Sequence, residues 1–207
     1  LDIAFIKFKG KFSENTFDMS EEHAVFPKPG NLLLSDPFLK DENFGRSVVM
    51  LCEHQDTGSF GLVINKPSIL QLGDLVEELS FLDTEVYVGG PVEQNTLHFL
   101  YFGSKLLVNS TSVGPGIWWG GDFDALVEHL KVGAVSADQV RFFIGYSGWA
   151  SGQLQEELQE KTWIVYSGLV EHDLFKNPAK EIWKVLMKNM GGDFSTQANY
   201  PLDPRLN

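Results

Sequence analysis

The sequence predicts an α+β fold in one domain, on three observations. Short leucine-rich or β-branched runs recur along the chain, amphipathic stretches at helical spacing fall between only some of them, and several runs lie close enough for hairpins. Strands and helices therefore do not alternate as a doubly wound parallel sheet requires. With 207 residues, 43% hydrophobic and 13% aromatic, the chain has material for one substantial core.

Residues 1–29 read as an N-terminal arm or extension that closes on Pro27-Lys28-Pro29. Phe5, Phe8 and Phe12 recur at helical spacing, so the arm forms either a short amphipathic helix that packs on the body or on a second subunit, or a partly ordered extension. The domain proper is expected over 30–192. Asn31-Leu32-Leu33-Leu34 reads as a strand broken by Asp36-Pro37, and Ser47 to Glu53 as a strand covered on both faces. Phe60 to Asn65 is the next, joined to it by a five-residue hairpin loop, Gln55 to Ser59, and ended by Pro67. Leu72, Leu75, Val76 and Leu79 mark one face of a helix.

Glu85 to Val88 and Leu97 to Phe102 are further strands, the first stopped by Gly89-Gly90-Pro91. Gly114 to Gly121 frames Trp118 and Trp119 in a loop or edge strand. Asp122 then caps a helix over Phe123 to Leu130 that stops at Gly133. Val140 to Ile144 leads as a strand into the glycine-rich turn Gly145 to Gly152, after which Leu154 and Leu158 with Ala150 give an apolar stripe. Trp163 to Tyr166 is a strand. A final helix, capped by Asn177 with Pro178 at its first position, is expected to present Ala179, Ile182, Trp183, Leu186, Met187 and Met190 on one apolar face and to stop at Gly191-Gly192. Residues 193–207 are expected as an extended C-terminal tail.

Composition narrows the function classes. Acids outnumber bases 28 to 16, a formal charge of −12, and such a surface repels phosphate backbones, so direct nucleic-acid binding is not expected. Cys52 stands alone, which excludes an intramolecular disulfide and fits a reducing compartment. No apolar run approaches the ~18 residues of a membrane span, and Lys7, Lys9 and Lys11 interrupt the apolar N-terminal stretch, so a cytoplasmic protein without membrane attachment is expected.

Candidate chemistry is thin. Gly145-x-Ser147 has the start of a nucleophile elbow, but the glycine required two residues on is Trp149, and Ser151 fails in the same way. Cys52 and His54 share a strand face as a metal or Cys-His pair would, yet His23, His98, His129 and His172 are scattered and no third ligand follows, so no metal is expected. The glycines at 89–90 and 114–121 fit neither a dinucleotide fingerprint nor a Walker loop, and no cofactor is expected. Trp118, Trp119, Trp149 and Tyr146 are either core or the lining of an apolar pocket.

Several stretches taken in order resemble the bacterial YqgE/AlgH family: Gly30-x-Leu32-Leu33-Leu34, Asp41-x-x-Phe44-x-Arg46-Ser47-Val48, His54, Gly58-x-x-Gly61-Leu62-Val63-Ile64-Asn65-Lys66-Pro67, Gly89-Gly90-Pro91-Val92, Leu97-His98 and Gly145 to Leu158. Ser35, Ser59, Ser147, Ala150 and Gln155 depart from the family's usual residues by small-for-small or acid-to-amide changes. The resemblance implies a barrel-like, largely antiparallel or mixed sheet surrounded by helices. The family is loosely labelled as transcriptional regulators, and the resemblance brings no catalytic set.

The expectation is thus a regulatory protein that binds a protein or small molecule and is not an enzyme, with no catalytic residues assigned. Its binding surface is expected at Arg46, His54, Asn65 and the turn carrying Tyr146, Ser147, Trp149 and Gln153; singly, Arg46 and Asn65 suit loop-holding backbone hydrogen bonds. The free N–H groups of the helix that follows are expected to be able to hold an anion or a partner carbonyl. The alternative is a small-molecule hydrolase using His54 or His98 with Ser147 or Ser151. An oligomer formed through the N-terminal arm is a further expectation.

Overall fold

The computed structural model describes residues 26–168, 170 and 172–201. The expected N-terminal arm lies, up to residue 25, outside the described residues. Among those described, ten strands run in the order β1 (Leu32–Ser35), β2 (Val48–Gln55), β3 (Gly58–Val63), β4 (Pro67–Gln71), β5 (Glu85–Val88), β6 (Val92–Phe102), β7 (Thr111–Gly114), β8 (Ile117–Trp119), β9 (Val140–Ala150) and β10 (Trp163–Tyr166). Five helices, α1 (Leu72–Leu75), α2 (Phe123–Lys131), α3 (Gln153–Gln159), α4 (Ala179–Met190) and α5 (Gly192–Gln197), are interspersed. None is long and apolar enough to cross a membrane.

The main path of the sheet is β10-β1-β2-β3-β9-β6-β8-β7, antiparallel throughout, with β5 parallel to β9 and β4 antiparallel to β5. Strand β9 is the hub. Phe142 to Ile144 carry β6 on one edge and β5 on the other, and Ser147 to Ala150 pair with β3.

Both faces of β1 and of the first five residues of β2 are buried, which explains the continuous apolar runs. Leu32 and Leu34 of β1 and Val48 and Met50 of β2 join one core with Trp183, Leu186 and Met187 of α4, while the intervening Leu33, Val49 and Leu51 join another with Trp149, Leu154 of α3 and Trp163. A third core puts Leu126, Val127 and Leu130 of α2 on Phe99, Val140 and Phe142. Side chains alternate between two dry environments, so neither set of positions can be polar.

The sheet is open rather than barrel-like, a correction to the expected closure. Its end strands β10 and β7 do not pair. The physical reason lies inside the curl: α4 and the 3-10 turn at His172–Lys176 fill the concave face, Phe175 packing at 4.7 Å on Phe102 and Trp183 donating its indole N–H to Ser35 O at 3.0 Å. Phe175, Ile182 and Trp183 share one core with Leu32 from one end of the path and with Val113 and Ile117 from the other, so a helix occupies the space that closure would need.

Four local expectations also change. The helix expected over 72–79 breaks at Val76 (φ −131°, ψ 97°) into α1 and a 3-10 turn at Glu77–Leu79, leaving Leu75 exposed. Gly73 packs against Ser80, where a Cβ would stand 2.9 Å from Ser80 Cα, so the chain folds back instead of extending. The β2–β3 hairpin pairs out to Gln55 and Gly58, shortening its loop to Asp56-Thr57. Pro178 rather than Asn177 takes the N-cap position of α4. Finally, the tail is not extended from 193: α5 follows α4 at once because Phe194 and the fully buried Ala198 return to the α4 core.

Candidate functional site

The glycine-rich stretch expected as a turn is the second half of β9, which continues to Ala150 before Ser151-Gly152 turns into α3. Glycine serves here for close approach. A Cβ on Gly89 would stand 2.3 Å from Gly145 O, one on Gly90 2.2 Å from Tyr146 O, and one on Gly145 (φ +63°) 2.7 Å from Val92 O. The backbones of 89–92 and 145–146 therefore cross with no room for side chains. Ser147, 1% exposed, donates its hydroxyl to Gly89 O at 3.1 Å and ties the same crossing.

Glu157 of α3, outside the expected binding surface, organises the end of this stretch. Its Oε2 accepts the indole N–H groups of Trp149 (2.8 Å) and Trp163 (2.7 Å), and its Oε1 accepts Gln153 Nε2 (2.9 Å). Gln153 Oε1 in turn accepts the Ala150 N–H at 3.0 Å. The signal in the sequence was the pair of tryptophans: each buried indole N–H needs an acceptor, and a carboxylate four residues beyond Gln153 reaches both.

The other expected residues are dispersed. His54 Nδ1 lies 2.8 Å from Ser59 Oγ across the β2–β3 hairpin and lines a cavity of about 300 Å³ with Ser151, Gly152 and Gln155. Cys52 does not join it. A bulge at that residue puts the thiol in the core, where burial pushes its pKa well up. Among the described residues no three His, Cys, Asp or Glu side chains gather as metal ligands.

Asn65 is committed to backbone: Oδ1 accepts Val48 N–H (2.8 Å) and Nδ2 donates to Arg46 O (2.9 Å). The Arg46 guanidinium lies 5.1 Å from the Trp183 ring and donates to Tyr200 O. Asn65 borders a different cavity, with Lys66, Val88 and Lys180, so His54, Asn65 and Gln153 do not line one concavity.

Tyr146 is placed differently from the rest of its stretch. Four strands adjacent in the sheet, β3, β9, β6 and β8, each contribute one half-buried ring: Phe60, Tyr146, His98 and Trp119. Phe60 stacks on Tyr146 (4.7 Å, 24°) and lies 4.7 Å from Trp119, and His98 meets Phe60 and Tyr146 edge-on at 5.3 and 5.7 Å. Opposite Phe60 in the ladder is Gly148, where a Cβ would press on the Tyr146 ring at 3.1 Å. His98 and Trp119 also wall a cavity of about 290 Å³ whose other sides are Leu97, Phe99, Phe123 and the backbone of Gly120-Gly121.

The hydrogen bonds of His98 fix its tautomer. Thr96 Oγ1 donates its one proton to Glu93 O at 2.8 Å, so at 3.0 Å from His98 Nε2 it must accept. Nε2 carries the proton and Nδ1 keeps a lone pair. Burial lowers the His98 pKa, opposed by Glu93, so the ring is neutral at neutral pH.

A fourth concavity, of about 480 Å³, is lined in part by Arg141. Its two terminal nitrogens donate to Ile64 O (2.9 Å) and Phe175 O (2.7 Å), and the guanidinium lies over the Tyr87 and Phe175 rings at 4.3 and 5.1 Å. Burial lowers its pKa. With both nitrogens and both faces engaged, Arg141 fastens the segment before α4 to the sheet.

These features define a single-domain α+β protein built on an open, largely antiparallel sheet, with a glycine crossing at its hub and an aromatic-lined concavity beside it. The chain belongs to the AlgH-like family, whose model matches residues 32–195. It is 40% identical over 179 residues to a UPF0301 protein of Cytophaga hutchinsonii, covering 86% of this chain and 98% of that one. A UPF0301 protein of Chlorobaculum tepidum is 35% identical over 189 residues, covering 91% and 100%. The solution structure of AlgH from Pseudomonas aeruginosa superposes with a TM-score of 0.63 at 25% identity, over 83% of this chain and 93% of that one. A crystal structure of DIP2367 from Corynebacterium diphtheriae shares the fold with a TM-score of 0.69 at 22% identity, over 84% and 93%.

Proposed function

We propose that the protein is a cytoplasmic regulatory protein that works by binding and not by catalysis. Its ligand is a small, planar, largely apolar molecule held in the cavity beside His98 and Trp119. The observation that carries this reading is that His98 and Trp119, which wall the cavity, belong to a cluster of half-buried rings drawn from four adjacent strands and completed by Phe60 and Tyr146. About 290 Å³ is the low end of the small-molecule range, which limits the ligand to roughly one or two fused rings. Stacking on Trp119 contributes about 0.5–1.5 kcal/mol beyond the area buried. The free lone pair of His98 Nδ1 favours a ligand that carries an N–H or O–H donor. Of the surface expected from the sequence, Tyr146 supports this site through its ring contacts with Phe60 and His98, whereas Asn65, Ser147, Trp149 and Gln153 hold the scaffold.

The test is a titration with planar heteroaromatic compounds, followed by tryptophan fluorescence and by NMR of the His98 ring. Saturable binding that weakens at least about tenfold in Trp119→Leu, with the thermal melt retained, supports the reading. Absence of any saturable binder, or binding indifferent to Trp119→Leu, sinks it.

The hydrolase reading rests on one contact, His54 Nδ1 to Ser59 Oγ at 2.8 Å. Neither expected serine partner serves it: Ser147 is buried and donates to Gly89 O, and His54 bonds Ser59 rather than Ser151. A fluorophosphonate probe is expected to leave Ser59 unlabelled; labelling abolished by His54→Ala would reverse the order of the two readings.

A further inference from the structure

We infer that residues 1–12 of this chain dock on the acidic, apolar excursion that joins β4 to β5. Among the described residues, β4 and the excursion after it carry three exposed large apolar side chains in one short stretch: Ile69 of β4 is 98% exposed, Phe81 58% and Leu75 42%. The excursion is held compact by the Gly73–Ser80 contact and by the Leu72 N–H to Thr84 O bond of 2.8 Å, and Ile69 stands beside its base on β4, which pairs with β5. Exposed apolar groups gathered in this way mark a docking surface.

Charge selects the occupant. From Pro67 to Glu85 the chain carries five carboxylates, Asp74, Glu77 and Glu78 among them, and no lysine or arginine. Among the described residues the only cation bonded to this segment is Lys131 of α2, 3.6 Å from Glu78. The complementary segment must be apolar and basic. Residues 1–12 read Leu-Asp-Ile-Ala-Phe-Ile-Lys-Phe-Lys-Gly-Lys-Phe, in which Lys7, Lys9 and Lys11 answer Asp2 alone and are interleaved with Ile6, Phe8 and Phe12. In a chain of net charge −12 this stretch concentrates three of the sixteen bases within five residues.

Length permits the contact within one molecule. Residues 13–25 link this stretch to the first described residue, Phe26. They span up to about 45 Å when extended, which covers a body whose radius of gyration is about 16 Å for its size. Docking buries Phe8, Phe12, Ile69 and Phe81 together and sets ammonium groups against carboxylates, in the manner of a basic amphipathic segment on an acidic groove.

Zero-length carbodiimide cross-linking of the full chain tests this directly, since it joins lysines only to carboxylates in contact. Mass spectrometry is expected to find Lys7, Lys9 or Lys11 joined to Asp74, Glu77 or Glu78. In a mixture of ¹⁵N-labelled and unlabelled chains the joined peptides should carry a single isotope. Ile69→Asp, at a fully exposed position, should lower their yield about tenfold without altering the melt. Joined peptides of mixed isotope would show that a second copy supplies the segment and overturn the intramolecular assignment. Absence of these pairs, or a yield indifferent to Ile69→Asp, would overturn the docking itself.

Discussion

Glu157 offers the sharpest test of the geometry around β9. Glu157→Ala removes the sole acceptor of two indole N–H groups, on Trp149 (6% exposed) and Trp163 (4% exposed), and the partner of Gln153. Leaving a buried donor unsatisfied costs about 1–3 kcal/mol. The carboxylate is only half-buried, so water reaches the vacated space in part and the lower half of that range applies to each indole. The expected loss is about 2–4 kcal/mol, or about 5–15 °C in Tm for a chain of this length. Glu157→Gln is milder: its amide oxygen still accepts both indoles, while its NH₂ meets the Gln153 donor, and a loss of about 1 kcal/mol is expected. Urea unfolding followed by fluorescence gives the energies, and the indole N–H resonances report the local change. Trp149→Phe combined with Glu157→Ala should be non-additive by about 1 kcal/mol. A Glu157→Ala protein within 0.5 kcal/mol of the parent, with both indole resonances unmoved, would refute the acceptor role.

Three further outcomes follow from the same structure. Gly145→Asn should abolish the folded protein, because φ +63° is tolerable for asparagine but the Cβ stands 2.7 Å from Val92 O; Gly152→Asn, at φ +79° with nothing within 4 Å, should cost only about 1 kcal/mol in a thermal melt. The lowered pKa of His98 means that the unfolded chain binds its proton more readily, so this contribution is intact above the ordinary histidine value of about 6.5 and is lost as pH falls through that value toward the folded one. Urea midpoints at pH 7.5 and 5 should therefore differ less in His98→Gln than in the parent, and an unchanged difference would contradict the assignment. Arg141→Met keeps the apolar stem but frees Ile64 O and Phe175 O, and should cost about 2–4 kcal/mol, with proteolysis at 172–178 rising before global unfolding.

The strands were legible in the sequence because of an unusual strictness in their surroundings. Leu32 to Leu34 and Val48 to Leu51 alternate between two dry cores, so every position had to be apolar and the runs stand out. Helix α2 was legible through its Asp122 cap, whose side chain accepts the Ala125 N–H at 3.0 Å. The 72–79 segment misled because Leu72 and Leu79 do satisfy a helical period; what breaks it is the approach of Gly73 to Ser80, a contact within the excursion that no local pattern encodes. Glycines 145 and 148 were read as punctuation of a turn. In the fold they admit another backbone and an aromatic ring, and the strand runs straight through them. The role of Glu157 is not legible in the sequence, because its donors lie six and eight residues away, on strands its own helix face does not reveal.

The stretch that identifies the family is thus explained by architecture. Gly89, Gly90 and Gly145 are fixed by crossing backbones, Ser147 by the Gly89 carbonyl, Trp149 and Gln153 by one carboxylate. None of these groups is left over to meet a ligand. The rings that are left over, Phe60, His98 and Trp119, come from β3, β6 and β8, and only Tyr146 comes from β9 itself. Strand β9 reaches all three cores, through Phe143, Phe142 and Trp149, so its rigidity sets the register in which the four rings meet. It follows that substitutions in the signature, Tyr146 apart, should act on ligand binding through stability, lowering melt and affinity together. Substitutions at His98 or Trp119 should separate the two, lowering affinity while the fold persists, and a signature variant that kept its melt but lost binding would place the site on β9 instead.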